Sequence, residues 1–296
     1  MRMDPNNWLM GLLTSPQMKT KKNREVSYRP LLDICWSSHA FASDINEALT
    51  LLKSVENAGE ITGHSKRVQK KVLEVFSPNE AFIEVEIMIS GLEACQGNNT
   101  RFETLLKSPN SNHPLTRSFK WVLGLPKIPK IFFDRFNIFD EAARMVGTSR
   151  PFYEFGVWNG FSFRHLINGC KFKKGFGFDT FTGLPEAWGE IQPKGGLSAK
   201  GIVPKIEGGE FIVGDFKDTL PKFFSQKRPL ASLINFDADL YSSTLCALTH
   251  VQKVIDKKTI LIFDEFFDVM DREWELDECR ALEEFCKKFN FKYEVI

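Results

Sequence analysis

The chain has 296 residues, with 39 Lys+Arg against 38 Asp+Glu and a formal net charge of +1. So even a balance excludes a general nucleic-acid binder, which carries a strong basic excess, and no apolar run approaches the roughly 20 residues of a membrane helix. At 43% hydrophobic and 26% charged the composition is that of a soluble globular chain, long enough to bury a core without disulfides or a structural metal.

The opening run M-R-M-D-P-N-N-W-L-M-G-L-L is too short in apolar residues for a signal peptide, so a cytoplasmic location is expected. Residues 1–30, with the basic run M-K-T-K-K-N-R, read as a flexible, solvated tail. Residues 31–128 read as mainly helical. Ala48, Leu49, Leu51 and Leu52, then Val68, Val72, Leu73 and Val75, recur at three- and four-residue steps. The stretch 81–92 keeps two readings open. Val85, Met88 and Leu92 suit a helix, while Ile83, Val85, Ile87 and Ile89 alternate as a strand would. No catalytic constellation stands in this region. Pro126 and Pro129 mark a boundary, and a helix over 131–146 leads into a second domain, 129–296.

The six cysteines, Cys35, Cys95, Cys170, Cys246, Cys279 and Cys286, form no C-x-x-C pair and read as reduced thiols filling core space. The five histidines are scattered and belong to no metal-ligand motif.

From residue 150 short apolar runs, at 152–157, 175–178, 210–213, 231–236, 259–263 and 289–295, alternate with helical segments near 161–169, 216–226, 243–256 and 274–288. That alternation predicts an α/β fold, a doubly wound Rossmann-like parallel sheet covered on both faces. Such sheets bind ligands beyond the carboxyl ends of their strands. Acidic residues stand at the ends of five successive runs: Glu154, Asp179, Asp215, Asp237 and Asp264. Each could cap a helix, but five caps would crowd negative charge along one sheet edge. A cation or several hydroxyls are therefore expected among them. Gly156 and Gly160 flank a tight turn into a helix, and Asp179 follows Gly156 by about 20 residues, the spacing that suits ribose hydroxyls. A dinucleotide fingerprint needs glycine where this chain has Trp158 and Phe161. A cofactor with a ribose but no pyrophosphate, S-adenosylmethionine, fits better.

The blocks E-F-G-V-W-N-G-F-S at 154–162, F-D-T-F-T-G-L-P-E at 178–186, G-D-F-K-D-T-L at 214–220, D-A-D-L-Y-S-S-T at 237–244 and F-D-E-F at 263–266 resemble, in order and spacing, the macrocin O-methyltransferase (TylF/MycF-like) family. These are class I S-adenosylmethionine-dependent enzymes that mostly methylate sugar hydroxyls. The resemblance covers about half the chain. It implies that Glu154, Gly156, Trp158, Gly160 and Ser162 line the cofactor, that Asp179 holds the ribose, and that Asp215 and Phe216 lie near adenine. It further implies a divalent metal, usually Mg²⁺, on Asp237, Asp264 and Glu265, with Asp237 also on the cofactor side. Three carboxylates suit that hard ion, which would chelate two vicinal hydroxyls and lower the pKa of one. Asp237 is the candidate general base.

This chain has Asp264-Glu265 where many relatives have Asp-Asp, so Asp239 competes with Glu265 for the third ligand place, and no histidine matches the family's acceptor-side one. The connection 186–209 reads as an exposed loop or a lid. The acidic segment 264–284 reads as a solvated helix face. The chain ends at Ile296 inside an expected sixth strand, leaving the seventh, antiparallel strand of the fold without residues and a sheet edge open to pairing in a homo-oligomer. The expected function is O-methylation of a sugar or glycosylated metabolite. The acceptor is thus a small molecule or glycan, with neither nucleic acid nor membrane as partner. An NAD-dependent oxidoreductase on the same fold, or a non-catalytic module with a partner-binding helical region, are the alternatives.

Overall fold

The computed structural model describes residues 18–19, 25–26, 44–58, 78–133, 135–189, 192–264, 266 and 276–295. They fall into two compact units that meet in sequence before Arg135.

The first unit holds a short antiparallel pair, β1 (Met18–Lys19) with β2 (Glu25–Val26), inside the segment expected to be a tail. Its helices are α1 (Ile45–Ala58), α2 (Pro78–Cys95), α3 (Thr100–Leu105) and α4 (Pro114–Leu123). Asp44 starts α1 by accepting from the Asn46 and Glu47 amides at 2.8 and 3.0 Å, the bond pattern of an N-cap. The stretch 81–92 is helix. Val85, Ile87, Met88, Ile89 and Leu92 are all buried, so α2 is apolar on several sides. Burial all round is what imitates strand alternation in the sequence. Gly91 lets the Phe119 ring of α4 press onto α2, since a Cβ there would lie 2.3 Å from Phe119 Cγ. The periodic stretch 68–75 lies outside the described residues.

The second unit is a five-stranded parallel sheet in the order β5-β4-β3-β6-β7, built from β3 (Phe152–Phe155), β4 (Gly175–Asp179), β5 (Gly209–Val213), β6 (Leu233–Phe236) and β7 (Ile260–Phe263). Every residue of β3, β6 and β7 is buried, which is why these strands read as unbroken apolar runs. The sheet is flanked by α5 (Arg135–Val146), α6 (Phe161–Asn168), α7 (Phe216–Phe223), α8 (Tyr241–Val251) and α9 (Glu278–Phe289).

The two faces of the sheet are packed differently. On one, Phe178, Phe155, Phe236 and Phe263 stack strand to strand at 4.8, 5.4 and 4.7 Å between ring centroids, and α7 lays Phe216 and Phe223 on them. On the other, α6 seats Phe163 against Phe152 at 4.6 Å. Glycines make that seat: a Cβ on Gly175 would sit 2.3 Å from the Phe152 ring, and one on Gly177 3.0 Å from Phe163. With α6 and α7 on opposite faces the sheet is doubly wound, as expected. The order reverses between β3 and β6, the switch point at which such sheets bind ligands.

Two expectations are corrected. Residues 289–295 form no strand. Phe289 closes α9, Asn290 turns the chain in the left-handed region at φ 56°, and Phe291 folds back onto Phe285 at 4.9 Å; only Val295 makes a single bridge. The helix expected from 131 begins at Arg135, because Ile131, Phe132 and Phe133 are buried in a non-helical approach.

Candidate functional site

The carboxyl ends of the five strands lie in register on one edge, and a chain of contacts joins the acidic residues there. Asp179 accepts from the Val157 and Trp158 amides through Oδ2, both at 2.7 Å, and from the Phe181 amide through Oδ1 at 2.7 Å. It thereby fixes the turn between β3 and α6. Gly156, at φ 89°, lies so close to the Asp237 carbonyl that a Cβ would sit 1.7 Å from its oxygen. Only glycine fits there. Gly160, at φ 72°, caps α6. Trp158 is left-handed at φ 47° and, with Phe161, remains exposed. On the other side of Asp179, its carbonyl accepts from the Gly214 amide at 2.9 Å. Asp215 then caps α7 by accepting from the Lys217 amide at 3.1 Å, and Phe216 is buried against Phe155.

Behind the turn, Glu154 is fully buried and accepts from Ser162 Oγ at 2.7 Å. Asn235 is its in-register neighbour on β6. Glu154 Oε2 and both polar side-chain atoms of Asn235 are buried without a hydrogen-bond partner among the described residues. Groups left in that state cost stability unless something supplies the bonds. Burial, reinforced by the negative charge of Asp237, raises the Glu154 pKa from its ordinary 4.5 to about 8, with the Ser162 bond opposing the rise.

A third part of the rim is a cation clamp. Arg135, the first residue of α5, places Nη2 2.6 Å from Asp237 Oδ2 and 3.0 Å from Asp264 Oδ1. The two carboxylates expected to hold a metal therefore do converge, on a guanidinium. Asp239 is buried and left-handed at φ 61°, inside a tight turn closed by the Leu240 amide on the Ala238 carbonyl at 2.6 Å. Burial, with the charges of Asp237, Asp264 and Asp179, holds its pKa well above the carboxylate range. Among the described residues, Asp237, Asp239 and Asp264 do not have three ligand atoms within 4.8 Å of one another. Glu265 lies outside the described residues.

The described parts of the connection 186–209 fold back onto the domain. Trp188 is buried, Glu186 accepts from Ser242 Oγ at 2.5 Å, and Pro204 and Ile206 lie over Gly160, within 3.1 and 3.2 Å of where its Cβ would be. Sequence reasoning missed Arg135 and Asn235. An arginine opening a helix 102 residues before its partner leaves no local signal. The asparagine inside the apolar run L-I-N-F could have been found as a polar residue interrupting a buried strand.

Residues 153–266 match the family model described as a methyltransferase domain. The matched segment holds the five strands of the Rossmann-like sheet and the rim at their carboxyl ends. No curated protein matches the chain. Among solved structures, CalS11, a calicheamicin methyltransferase, is 24% identical, with 71% of this chain and 85% of that one covered and a TM-score of 0.40. Apo CalS11, described as a TDP-rhamnose 3′-O-methyltransferase, is 24% identical over 65% of this chain and 84% of its own, at a TM-score of 0.38. The O-methyltransferase NovP is 16% identical over 71% and 91%, at 0.39. Among the described residues no helix is long and apolar enough to cross a membrane.

Proposed function

We propose that this protein transfers a methyl group from S-adenosylmethionine to a hydroxyl of a sugar or glycosylated metabolite, as the resemblance to the macrocin O-methyltransferase family implies. The observation that carries the reading is the continuous rim from Asp215 through Asp179, the Gly156 turn and Asp237 to Asp264, inside the segment that matches a methyltransferase domain.

Each residue then has a role in binding or proton transfer. Three of the roughly four acceptor positions of Asp179 are filled by amides, leaving one for a ribose hydroxyl. Gly156, Trp158 and Gly160 bring backbone close to the methionine end, with Glu154 and Ser162 holding the turn from behind. Asp215 and Phe216 border the adenine. The sulfonium cofactor supplies an electrophilic methyl group, and an acidic rim suits its charge. In-line approach of acceptor oxygen, carbon and sulfur makes positioning the main source of rate. Asp237 takes the hydroxyl proton as general base.

Asp237 and Asp264 also fit a hard divalent ion as donors. Mg²⁺ held by them, in exchange for Arg135, would act as a Lewis acid on the acceptor oxygen. Asp237→Ala and Asp264→Ala should each abolish turnover while leaving cofactor affinity within a few-fold. Unchanged activity in excess EDTA would remove the metal and leave Arg135 as the cation of the site. The acceptor is identified by mass spectrometry of a carbohydrate or metabolite extract incubated with the protein and labelled cofactor. Labelled products carrying no sugar would refute the proposed acceptor class.

A further inference from the structure

Away from the strand-end rim, a residue of α5 meets two residues that stand five apart at the end of α6. Asp140 projects from α5, His165 from the last turn of α6, and Cys170 from just beyond it. Asp140 Oδ1 is 2.7 Å from His165 Nε2 and 3.3 Å from Cys170 Sγ. The three ligand atoms all lie within 4.8 Å of one another, and no other set of three does so among the described residues.

The backbone around the set fixes its geometry. The Cys170 amide donates to the His165 carbonyl at 3.0 Å, so the thiol and the imidazole are presented by one turn of chain. The His165 ring lies against Phe136 at 4.7 Å between centroids. Behind the ring, Gly169 clears its path, since a Cβ there would sit 2.9 Å from His165 Cε1 and 3.0 Å from Nδ1. Asp140 is the exposed member and the side of entry.

We propose that Asp140, His165 and Cys170 form a zinc site, with water as fourth ligand. A mixed sulfur, nitrogen and oxygen set with one open position is a zinc arrangement, and the thiolate and imidazole exclude Mg²⁺ and Ca²⁺. Tetrahedral zinc with bonds of about 2.0 Å to nitrogen and oxygen and about 2.3 Å to sulfur sets the N···O and S···O edges at about 3.3 and 3.5 Å. The edges here are 2.7 and 3.3 Å, so these two need to open by only about half an ångström, and the N···S edge lies within 4.8 Å. On binding, the Cys170 proton goes to solvent and the thiolate takes the metal, while His165 ligates through neutral Nε2 with its remaining proton on Nδ1. The bound ion would tie α5, which carries Arg135, to α6, which carries the glycine turn at its start.

The test uses the full chain, reduced and stripped of metal, titrated with Co²⁺ as an optical stand-in and then with Zn²⁺. Expected are a thiolate-to-cobalt charge-transfer band saturating at one equivalent, its loss on adding Zn²⁺, its absence in Cys170→Ser, and at least tenfold weaker binding in His165→Gln. A wild-type protein without the band, or a band undiminished in Cys170→Ser, overturns the proposal. Asp140→Asn, an exposed change that does not threaten folding, should weaken Co²⁺ binding at least tenfold, and unaltered affinity there also counts against the site. None of these readouts depends on methyl transfer.

Discussion

Glu154 shows how much one buried group can set. Its folded pKa of about 8 lies above the ordinary 4.5. Below pH 4.5 both states bind the proton and the shift costs nothing. Between 4.5 and 8 the unfolded chain releases a proton that the folded chain keeps, so stability falls as pH rises through that window and stays reduced above it. Replacing the group by glutamine removes the titration while keeping an acceptor for Ser162. Glu154→Gln should therefore be more stable than wild type, by on the order of a few kcal/mol near pH 8 and by little near pH 4.5, as urea midpoints across that range would show. A gain independent of pH would mean that Glu154 is not held neutral. At Gly156 a side chain meets both a positive φ and the Asp237 carbonyl. Gly156→Ala should lose more than the 1–3 kcal/mol of a strained residue and, with it, measurable cofactor binding by calorimetry. The acidic strand ends and these glycines were legible in the sequence, because a parallel sheet places successive strand ends together. The clamp by Arg135 and the meeting of Asp140 with His165 and Cys170 were not, since only the tertiary placement of α5 brings those residues together.

At the level of elements, β3, β6 and β7 announced themselves as short apolar runs because both of their faces are covered. The same logic misled at 289–295. Phe289, Phe291, Tyr293 and Val295 alternate like a strand, but Asn290 reverses the chain and Phe291 returns to α9. Local alternation cannot distinguish a strand from a helix end whose aromatic residues fold back. In α2 a helix buried on several sides gave a pattern with two solutions, settled by its length of 18 residues. The glycines of β4 are a packing device for α6. Gly177→Ala, which would place a Cβ 2.8 Å from Phe211 and Val157 atoms, should cost about 1–3 kcal/mol, measured by chemical unfolding. At the start of α5, Arg135→Ala leaves the Asp237 and Asp264 carboxylates facing each other without their guanidinium. Divalent-ion affinity at this rim should then rise at least tenfold, measured as Mn²⁺ binding by electron paramagnetic resonance. No gain over wild type would show that the pair is built for arginine alone.

Across the whole molecule, the unit from Arg135 onward carries all the chemistry argued above, and residues 153–266 of it match a methyltransferase domain. The reading stands or falls on whether its strand-end rim accepts a nucleoside with a sulfur-bearing tail and no pyrophosphate. Isothermal titration of the full chain with S-adenosylhomocysteine tests this most directly. Binding at the micromolar level or tighter is predicted, that is, about −8 kcal/mol or more favourable, weakened at least tenfold in Asp179→Ala. Binding of NADH with no response to S-adenosylhomocysteine would contradict it.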